Sequence, residues 1–300
     1  MLIPKGIIPA MVTPFTEEYK LNEPALRQMV NKFIDAGVHG LFGLGTNGEF
    51  FSLTGEEKIR IAEIVVDEVK GRVPVYIGAG GISTEETVRL TKKLEEIGVD
   101  AVSVITPYFL TFTQKELLDH YKTLADSTSL PIVLYNIPAR TGNHLQAGTV
   151  KELSKLPNIV GIKDSSGSYD HILAYIQETD PETFSVLAGT DSLILSTLMA
   201  GGQGAIASTA NVFPEEVVSI YSHWKQGELA KAEKAQRVLR SLRSAFALGT
   251  LPSVLKEVLN MIGVPAGPSR KPVGELSAEV KGQLEKMVQT YREQGFLKQA

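Results

Sequence analysis

Short apolar runs alternate along the chain with longer segments in which apolar residues recur at the helical spacing of three to four. The runs are almost free of charge, as in Ala-Val-Ser-Val-Ile at 101–105 and Pro-Ile-Val-Leu-Tyr at 131–135. Runs of this kind are typical of parallel strands that are covered on both faces. They lie at residues 7–13, 40–46, 74–80, 101–106, 131–137, 159–163, 184–189 and 204–208. The pattern therefore predicts eight parallel strands separated by helices.

Capping residues mark the helix boundaries between these runs. Thr54, Ser83 and Thr113 each stand three residues before a glutamate, the spacing of a capping box. Glycine often ends a helix, because it adopts the left-handed conformation easily. The glycines in such positions are Gly37, Gly71 and Gly98.

The repeat of eight strand–helix units, each of about 25 to 30 residues, predicts an α/β fold of the (β/α)8 barrel type. A doubly wound open sheet is the alternative. After the eighth unit helical periodicity continues without strands, at 227–248, 252–262 and 277–295. We therefore predict a barrel at 1–225 and a C-terminal helical extension at 226–300.

Composition narrows the classes of function. The chain has 300 residues, 43% of them hydrophobic, and its 30 basic and 34 acidic residues give a net charge of −4. This balance lacks the basic surface that nucleic acids or anionic membranes require, so neither is an expected partner. The absence of cysteine excludes disulfides and thiolate catalysis. No membrane span is expected, and Pro4, Pro9 and Pro14 argue against a signal peptide, so we expect a cytoplasmic protein.

Reactive side chains in such a barrel lie at the carboxyl ends of the strands, and Lys163 is the most informative of them. Strand alternation turns Lys163 into the barrel, away from the face that carries Ile162 and Asp164. Burial without a partner disfavours the charged form of an amine, and a neutral amine can form a Schiff base with a carbonyl substrate. The alternative is a lysine that reaches solvent or pairs with a carboxylate.

Three further elements can assist such chemistry. Tyr135 on the neighbouring strand can move protons, with the Thr46 hydroxyl as the next group. Arg140 offers a planar fork for a substrate carboxylate, and the turn Gly45-Thr-Asn-Gly48 offers backbone amides. A core tyrosine, an exposed loop arginine and a plain tight turn are the respective alternatives.

A metal site is not expected. Of the five histidines only His144 falls at the predicted catalytic end of the barrel, which is too few for a histidine-ligated metal. We therefore expect no metal and no bound cofactor.

Four motifs occur in order along nearly the whole chain: Gly45-Thr-Asn-Gly-Glu49, Tyr135-Asn-Ile-Pro-Ala-Arg-Thr-Gly142, Gly161-Ile-Lys-Asp-Ser165 and Gly201-Gly-Gln-Gly-Ala-Ile206. Together they resemble the dihydrodipicolinate synthase / N-acetylneuraminate lyase family. The resemblance implies a metal-independent class I aldolase in which Lys163 forms the imine with pyruvate or another 2-oxo acid. It also implies a homotetramer or homodimer, and possession of the synthase activity would place the chain in lysine biosynthesis.

By the same resemblance Tyr135 is the proton-transfer phenol and Thr46 its partner. Asn47, with Thr46, holds the substrate carboxylate, and Arg140 faces the carboxylate of aspartate semialdehyde. The remaining substrate-binding residues that the resemblance implies are Tyr108, Gly189 and Ile206.

Two departures from the synthase pattern leave the substrate open. Asn47 replaces a threonine, and Phe109 replaces a tyrosine whose hydroxyl reaches the proton relay of a neighbouring subunit. Synthesis of dihydrodipicolinate from pyruvate and aspartate semialdehyde is the leading expectation. Aldolases or dehydratases of 2-keto-3-deoxy sugar acids and 4-hydroxy-2-oxoglutarate aldolases are the alternatives, and a non-catalytic carboxylate-binding barrel is a third.

Overall fold

Eight parallel strands form one barrel in the computed structural model, which describes residues 2–298. From β2 to β8 each strand pairs with the next in sequence, and β1 pairs with β8. A parallel bridge between Ala10 and Phe42 joins the ends of β1 and β2, which brings the last two edges together. The strands are β1 (Gly6–Pro9), β2 (Leu41–Gly43), β3 (Val75–Gly78), β4 (Ala101–Ile105), β5 (Ile132–Asn136), β6 (Ile159–Asp164), β7 (Ser185–Ala188) and β8 (Gly204–Ala207). The predicted (β/α)8 fold is confirmed, and the open sheet is excluded.

Helices connect the strands and continue beyond the barrel. Those of the barrel are α1 (Glu23–Asp35), α2 (Gly55–Val69), α3 (Thr84–Ile97), α4 (Gln114–Ser127), α5 (Pro138–Thr141), α6 (Ala147–Leu153), α7 (Tyr169–Glu178), α8 (Ile194–Met199) and α9 (Pro214–Lys225). Those that follow are α10 (Leu229–Ala245), α11 (Ser253–Met261) and α12 (Ala278–Glu293). Four short 3₁₀ segments lie at Phe50–Ser52, Asp191–Leu193, Thr209–Asn211 and Phe246–Leu248. Within the described residues, no helix is long and apolar enough to cross a membrane.

Two of the three predicted capping boxes form completely. The Thr54 and Thr113 hydroxyls accept the backbone N–H groups of Glu57 and Glu116, respectively. The carboxylates of these two glutamates in turn accept the backbone N–H groups of Thr54 and Thr113. The Ser83 hydroxyl accepts the backbone N–H of Glu86, but the Glu86 carboxylate does not accept the backbone N–H of Ser83. Only half of this predicted capping box therefore forms. Thr87 makes other contacts at this helix start: its hydroxyl donates to the Ser83 carbonyl and accepts from the N–H of Gly81. The three predicted glycines at helix ends all have positive φ.

Two hydrophobic layers surround the strands. The inner layer fills the barrel and consists of Ile8, Ala10, Phe42, Tyr76, Ala101, Val133, Val160, Leu187 and Ile206. The outer layer lies between the strands and the helices, and Ile162 belongs to it. The inner layer fills the barrel below the carboxyl ends of the strands, the end at which barrels of this type carry their sites.

The helices after α9 pack on the barrel. Leu239 of α10, Leu255 of α11 and Val288 of α12 are buried in the same hydrophobic cluster as the outer faces of the strands. The interval between α9 and α10 runs from Lys225 to Leu229. Division of the chain into a barrel at 1–225 and an extension at 226–300 remains a prediction.

Candidate active site

A cavity of about 280 Å³ opens at the carboxyl ends of the strands. Loops after β1, β2, β5, β7 and β8 contribute to its wall, and so does the segment after α10. Its lining includes Ala10, Thr46, Asn47, Tyr135, Ile137, Arg140, Lys163, Ser165, Gly189, Asp191, Ser208, Arg243, Phe246 and Leu251. Six of the eight predicted site residues line this cavity: Thr46, Asn47, Tyr135, Arg140, Lys163 and Gly189.

Lys163 lies in the floor of this cavity. Its side chain is 4% exposed, and its Nζ lies 4.0 Å from the centre of the Tyr135 ring and 5.0 Å from that of Phe42. The predicted orientation toward the interior is therefore confirmed. Among the described residues no carboxylate forms an ion pair with Lys163. Two aromatic faces thus replace water around an amine that has no acidic partner.

Tyr135 stands beside Lys163 because the two residues are register partners on the parallel strands β5 and β6. The Tyr135 phenol is buried, and its oxygen lies 3.2 Å from the Thr46 hydroxyl, within hydrogen-bond distance. Because either hydroxyl can donate, a proton can move along this pair.

The turn after β2 brings Thr46 and Asn47 to the cavity, but the Asn47 amide nitrogen is already bonded. It donates to the Ala10 carbonyl at 3.2 Å and to the Ser208 hydroxyl at 2.8 Å, so both of its N–H groups have acceptors. Asn47 therefore ties the turn to β1 and to the end of β8. Hydrogen bonds from this turn to a carboxylate therefore have to come from its main-chain N–H groups and the Thr46 hydroxyl.

Arg140 lies on α5, the single helical turn after β5. The residue is exposed, and its guanidinium forms no ion pair within the described part of the chain. It lines the cavity and is available to an anionic ligand.

Gly189 follows β7 and lies directly beside Lys163's strand. Its N–H donates to the Asp164 carbonyl at 2.7 Å, and a Cβ at this position would collide with the Ser165 hydroxyl. Glycine lets the end of β7 approach β6 closely, which keeps this side of the cavity open.

Two predicted site residues lie elsewhere. Ile206 is fully buried in the inner layer of the barrel, below the cavity. Tyr108 is half-buried outside the cavity, with its ring 6.2 Å from that of Phe50, and burial raises the pKa of its phenol. Their roles in substrate binding remain predictions.

Comparison with known proteins assigns the chain to a family. The sequence model of the dihydrodipicolinate synthetase family matches residues 3–291. The chain belongs to this family. The 4-hydroxy-tetrahydrodipicolinate synthase of Methanopyrus kandleri is 40% identical over 279 residues, which cover 92% of this chain and 93% of that protein.

Solved structures of the family agree closely with this fold. YagE, a prophage protein of the dihydrodipicolinic acid synthase family from E. coli K12, was crystallised in complex with pyruvate. It has a TM-score of 0.92 and 36% identity, over 96% of this chain and 98% of that chain. A structure described as the first monomeric dihydrodipicolinate synthase variant has a TM-score of 0.93 and 33% identity, over 98% of this chain and 97% of that chain.

The dihydrodipicolinate synthetase family explains the motifs around Lys163, but the cavity also contains residues that the motifs did not indicate. Arg243, Phe246 and Leu251 come from α10 and the segment after it. No short-range signal could have identified them, because they reach the cavity only through the packing of the extension on the barrel.

His144, which the sequence placed at the catalytic end, belongs to a neighbouring polar network. Its ring stacks on that of His171 at 4.2 Å, and Asn136 lies 3.2 Å from its Nδ1. Burial, together with the nearby His171, lowers the pKa of His144. Asn136 also donates to the buried Asp164 at 2.7 Å, which fixes the end of β6 next to Lys163. In the part of the chain that the structure describes, no group of three His, Asp or Glu residues could hold a metal ion.

Phe109 marks a departure from the family's synthase pattern. It lies between β4 and α4 with a positive φ of 85°, and 87% of its side chain is exposed. Its ring cannot donate a proton to the Tyr135–Thr46 pair.

Proposed function

We propose that the chain is a 4-hydroxy-tetrahydrodipicolinate synthase, which condenses pyruvate with aspartate semialdehyde through a Schiff base on Lys163. The observation that carries the proposal is the buried Lys163 amine, without an acidic partner and beside the Tyr135–Thr46 pair. The names of the relatives and the pyruvate in the YagE crystals support it.

The chemistry follows from these groups. The Lys163 nitrogen adds to the keto carbon of pyruvate, and loss of water gives the imine. Removal of a methyl proton gives an enamine, whose terminal carbon attacks the aldehyde carbon of the semialdehyde. The Tyr135 phenol supplies the proton that the new alkoxide needs, and Thr46 can accept and return protons along the same pair.

Ring closure completes the reaction. The amino group of the former semialdehyde displaces the Lys163 nitrogen from the imine carbon, which closes the ring and frees the lysine. Overall one molecule of water is lost. In this proposal the turn at Thr46 and Asn47 holds the pyruvate carboxylate, and Arg140 binds the carboxylate of the semialdehyde.

A second candidate function is supported by Phe109 and Asn47. Since Phe109 offers no hydroxyl to the proton relay, an aldolase or dehydratase of 2-keto-3-deoxy sugar acids, or a 4-hydroxy-2-oxoglutarate aldolase, fits these two positions. Each of these reactions would use the same Lys163 imine.

Borohydride reduction tests the shared step. We expect incubation with pyruvate and borohydride to add the mass of a reduced pyruvate imine to the protein, on the peptide that contains Lys163. Lys256 is an internal control, because it is also buried but lies outside the cavity. Absence of an adduct, or an adduct that persists in Lys163→Arg, would contradict the Schiff base.

Product assays separate the two candidates. Condensation of pyruvate with aspartate semialdehyde is compared with cleavage of 2-keto-3-deoxygluconate and 4-hydroxy-2-oxoglutarate. Faster cleavage than condensation would favour the second candidate over the first.

Independence from metals and cofactors, a homotetrameric or homodimeric assembly and a cytoplasmic location are parts of the same proposal. A chelator should leave the activity unchanged, and the mass in solution can be measured by light scattering.

A further inference from the structure

The cavity contains three cationic side chains and one acidic side chain among the described residues that line it. The cations are Lys163, Arg140 and Arg243, and the acid is Asp191. Asp191 accepts the N–H of Ser208 at 3.1 Å and that of Thr209 at 2.6 Å, so its two oxygens are occupied by the main chain at the end of β8. The cavity therefore has an excess of positive charge available to a ligand.

Arg243 lies in the last turn of α10 and is half-buried. Its guanidinium carbon lies 5.8 Å from the centre of the Phe246 ring, and it forms no ion pair within residues 2–298. The two preceding arginines of α10 differ in this respect. Arg237 pairs with Glu233, and Arg240 lies 4.0 Å from the same carboxylate.

The three cationic side chains lie at different depths in the cavity, which suits them to different parts of the substrates. Lys163 is 4% exposed at the floor, whereas Arg140 is exposed and Arg243 half-buried at the mouth. A pyruvate joined to Lys163 has its carboxylate near the floor. The two arginines are therefore placed for a group that enters after pyruvate.

We propose that Arg243 is a specificity-determining residue, which binds the carboxylate of the aldehyde substrate together with Arg140. This inference rests on the proposed Schiff base at Lys163 and adds that the extension selects anionic aldehydes. A guanidinium suits this role, since it binds a carboxylate through two parallel hydrogen bonds.

The test compares aldehydes that differ in charge. Pyruvate is condensed with aspartate semialdehyde, with succinic semialdehyde and with uncharged butanal, and kcat/KM is measured for each. The variants are Arg243→Met, which keeps the apolar stem over Phe246, and Arg243→Lys, which keeps the charge. Arg240→Met is the matched control on the same helix, outside the cavity.

We expect Arg243→Met to lower kcat/KM for both carboxylated aldehydes by about 10- to 100-fold, as loss of a charged hydrogen bond does. The values for butanal and the extent of pyruvate reduction onto Lys163 should stay unchanged. Arg243→Lys should recover part of the loss, and Arg240→Met should match the parent enzyme.

Other outcomes overturn the proposal in distinguishable ways. Equal loss for charged and uncharged aldehydes, or no loss at all, would contradict a role for Arg243 in selectivity while pyruvate loading shows the Schiff base intact. A lower melting temperature with unchanged selectivity would mean that Arg243 only stabilises the end of α10. An enzyme that loads pyruvate but condenses none of these aldehydes would also refute the role of Arg243. Failure to load pyruvate would refute the proposed function itself.

Discussion

Lys163 and Tyr135 meet because they are register partners on adjacent parallel strands and both point into the barrel. Strand alternation, read from the sequence, places Lys163 on the face opposite Ile162, and the space inside the barrel favours the interior for its side chain. For Tyr135 the sequence leaves the face open, and the pairing of β5 with β6 decides it. Strand alternation is not enough for Asn47 either, whose amide is bonded to Ala10 and Ser208. Those contacts depend on how one turn meets two other strand ends, which no local pattern encodes.

The Tyr135 hydroxyl is expected to carry the proton transfer. Tyr135→Phe keeps the ring that faces the Lys163 amine but removes the oxygen that lies 3.2 Å from Thr46. We expect kcat to fall by about 100-fold or more, the usual contribution of a positioned general acid or base. Steady-state kinetics with pyruvate and aspartate semialdehyde measure the change.

Tyr76→Phe is the control for this substitution. Tyr76 is likewise a buried tyrosine, in the inner layer of the barrel, but it does not line the cavity. The substitution Tyr76→Phe should leave kcat unchanged. An equal effect of the two substitutions would mean that the Tyr135 hydroxyl acts through packing alone.

Helix starts were predictable wherever a single side chain caps the helix, as at Thr54 and Thr113. Contacts between helices, in contrast, could not be predicted from the sequence. His120 of α4 is 5% exposed, and its Nδ1 lies 2.8 Å from the Thr84 hydroxyl of α3. The sequence places His120 only on a helix, and its burial depends on how α3 and α4 pack against each other.

His120 should make the stability of the protein depend on pH. Burial lowers the pKa of its imidazole from 6.5 to about 4. Between these two values the unfolded chain binds a proton that the folded chain does not, so acid favours unfolding. The contribution of the neutral His120 imidazole to the free energy of unfolding should be fully present above pH 6.5. It should fall by about 3 kcal/mol as the pH decreases to 4.

Denaturant unfolding at several pH values, compared between the parent protein and His120→Gln, measures this contribution. Glutamine retains a polar partner for Thr84 but does not titrate. The variant should therefore show a weaker decline between pH 6.5 and 4. Identical slopes in the two proteins would contradict the assignment to His120.

At the scale of the molecule, the number of strands and the presence of a helical extension follow from hydrophobic periodicity. The contribution of the extension to the cavity does not, because Arg243 and Phe246 are far in sequence from the strands they face. A buried ion pair is a second link of this kind. Lys256 of α11 and Glu49 of the turn at residues 45–49, here called the catalytic turn because it carries Thr46, are 1% and 0% exposed. Their charged atoms lie 2.6 Å apart.

Other contacts hold this pair in place. Lys256 also donates to the Pro268 carbonyl at 2.9 Å and lies 4.1 Å from the centre of the Phe15 ring. Glu49 accepts the backbone N–H of Arg270 at 2.8 Å. Burial lowers the pKa of Lys256 to about 8, although Glu49 opposes this shift. The pair therefore anchors the turn that carries Thr46 to the extension.

Lys256→Met should leave the Glu49 carboxylate buried without its cation and lower the free energy of unfolding by about 3 to 5 kcal/mol. Adding Glu49→Gln to this variant should recover much of the loss, because no isolated charge then remains. Lys151→Met, which removes a surface partner of Glu178, is the control and should change stability little. Denaturant unfolding measures all three, and kcat should fall with Lys256→Met because the turn that positions Thr46 loosens. If Lys256→Met were no more destabilising than Lys151→Met, the ion pair would not be what joins the extension to the catalytic turn.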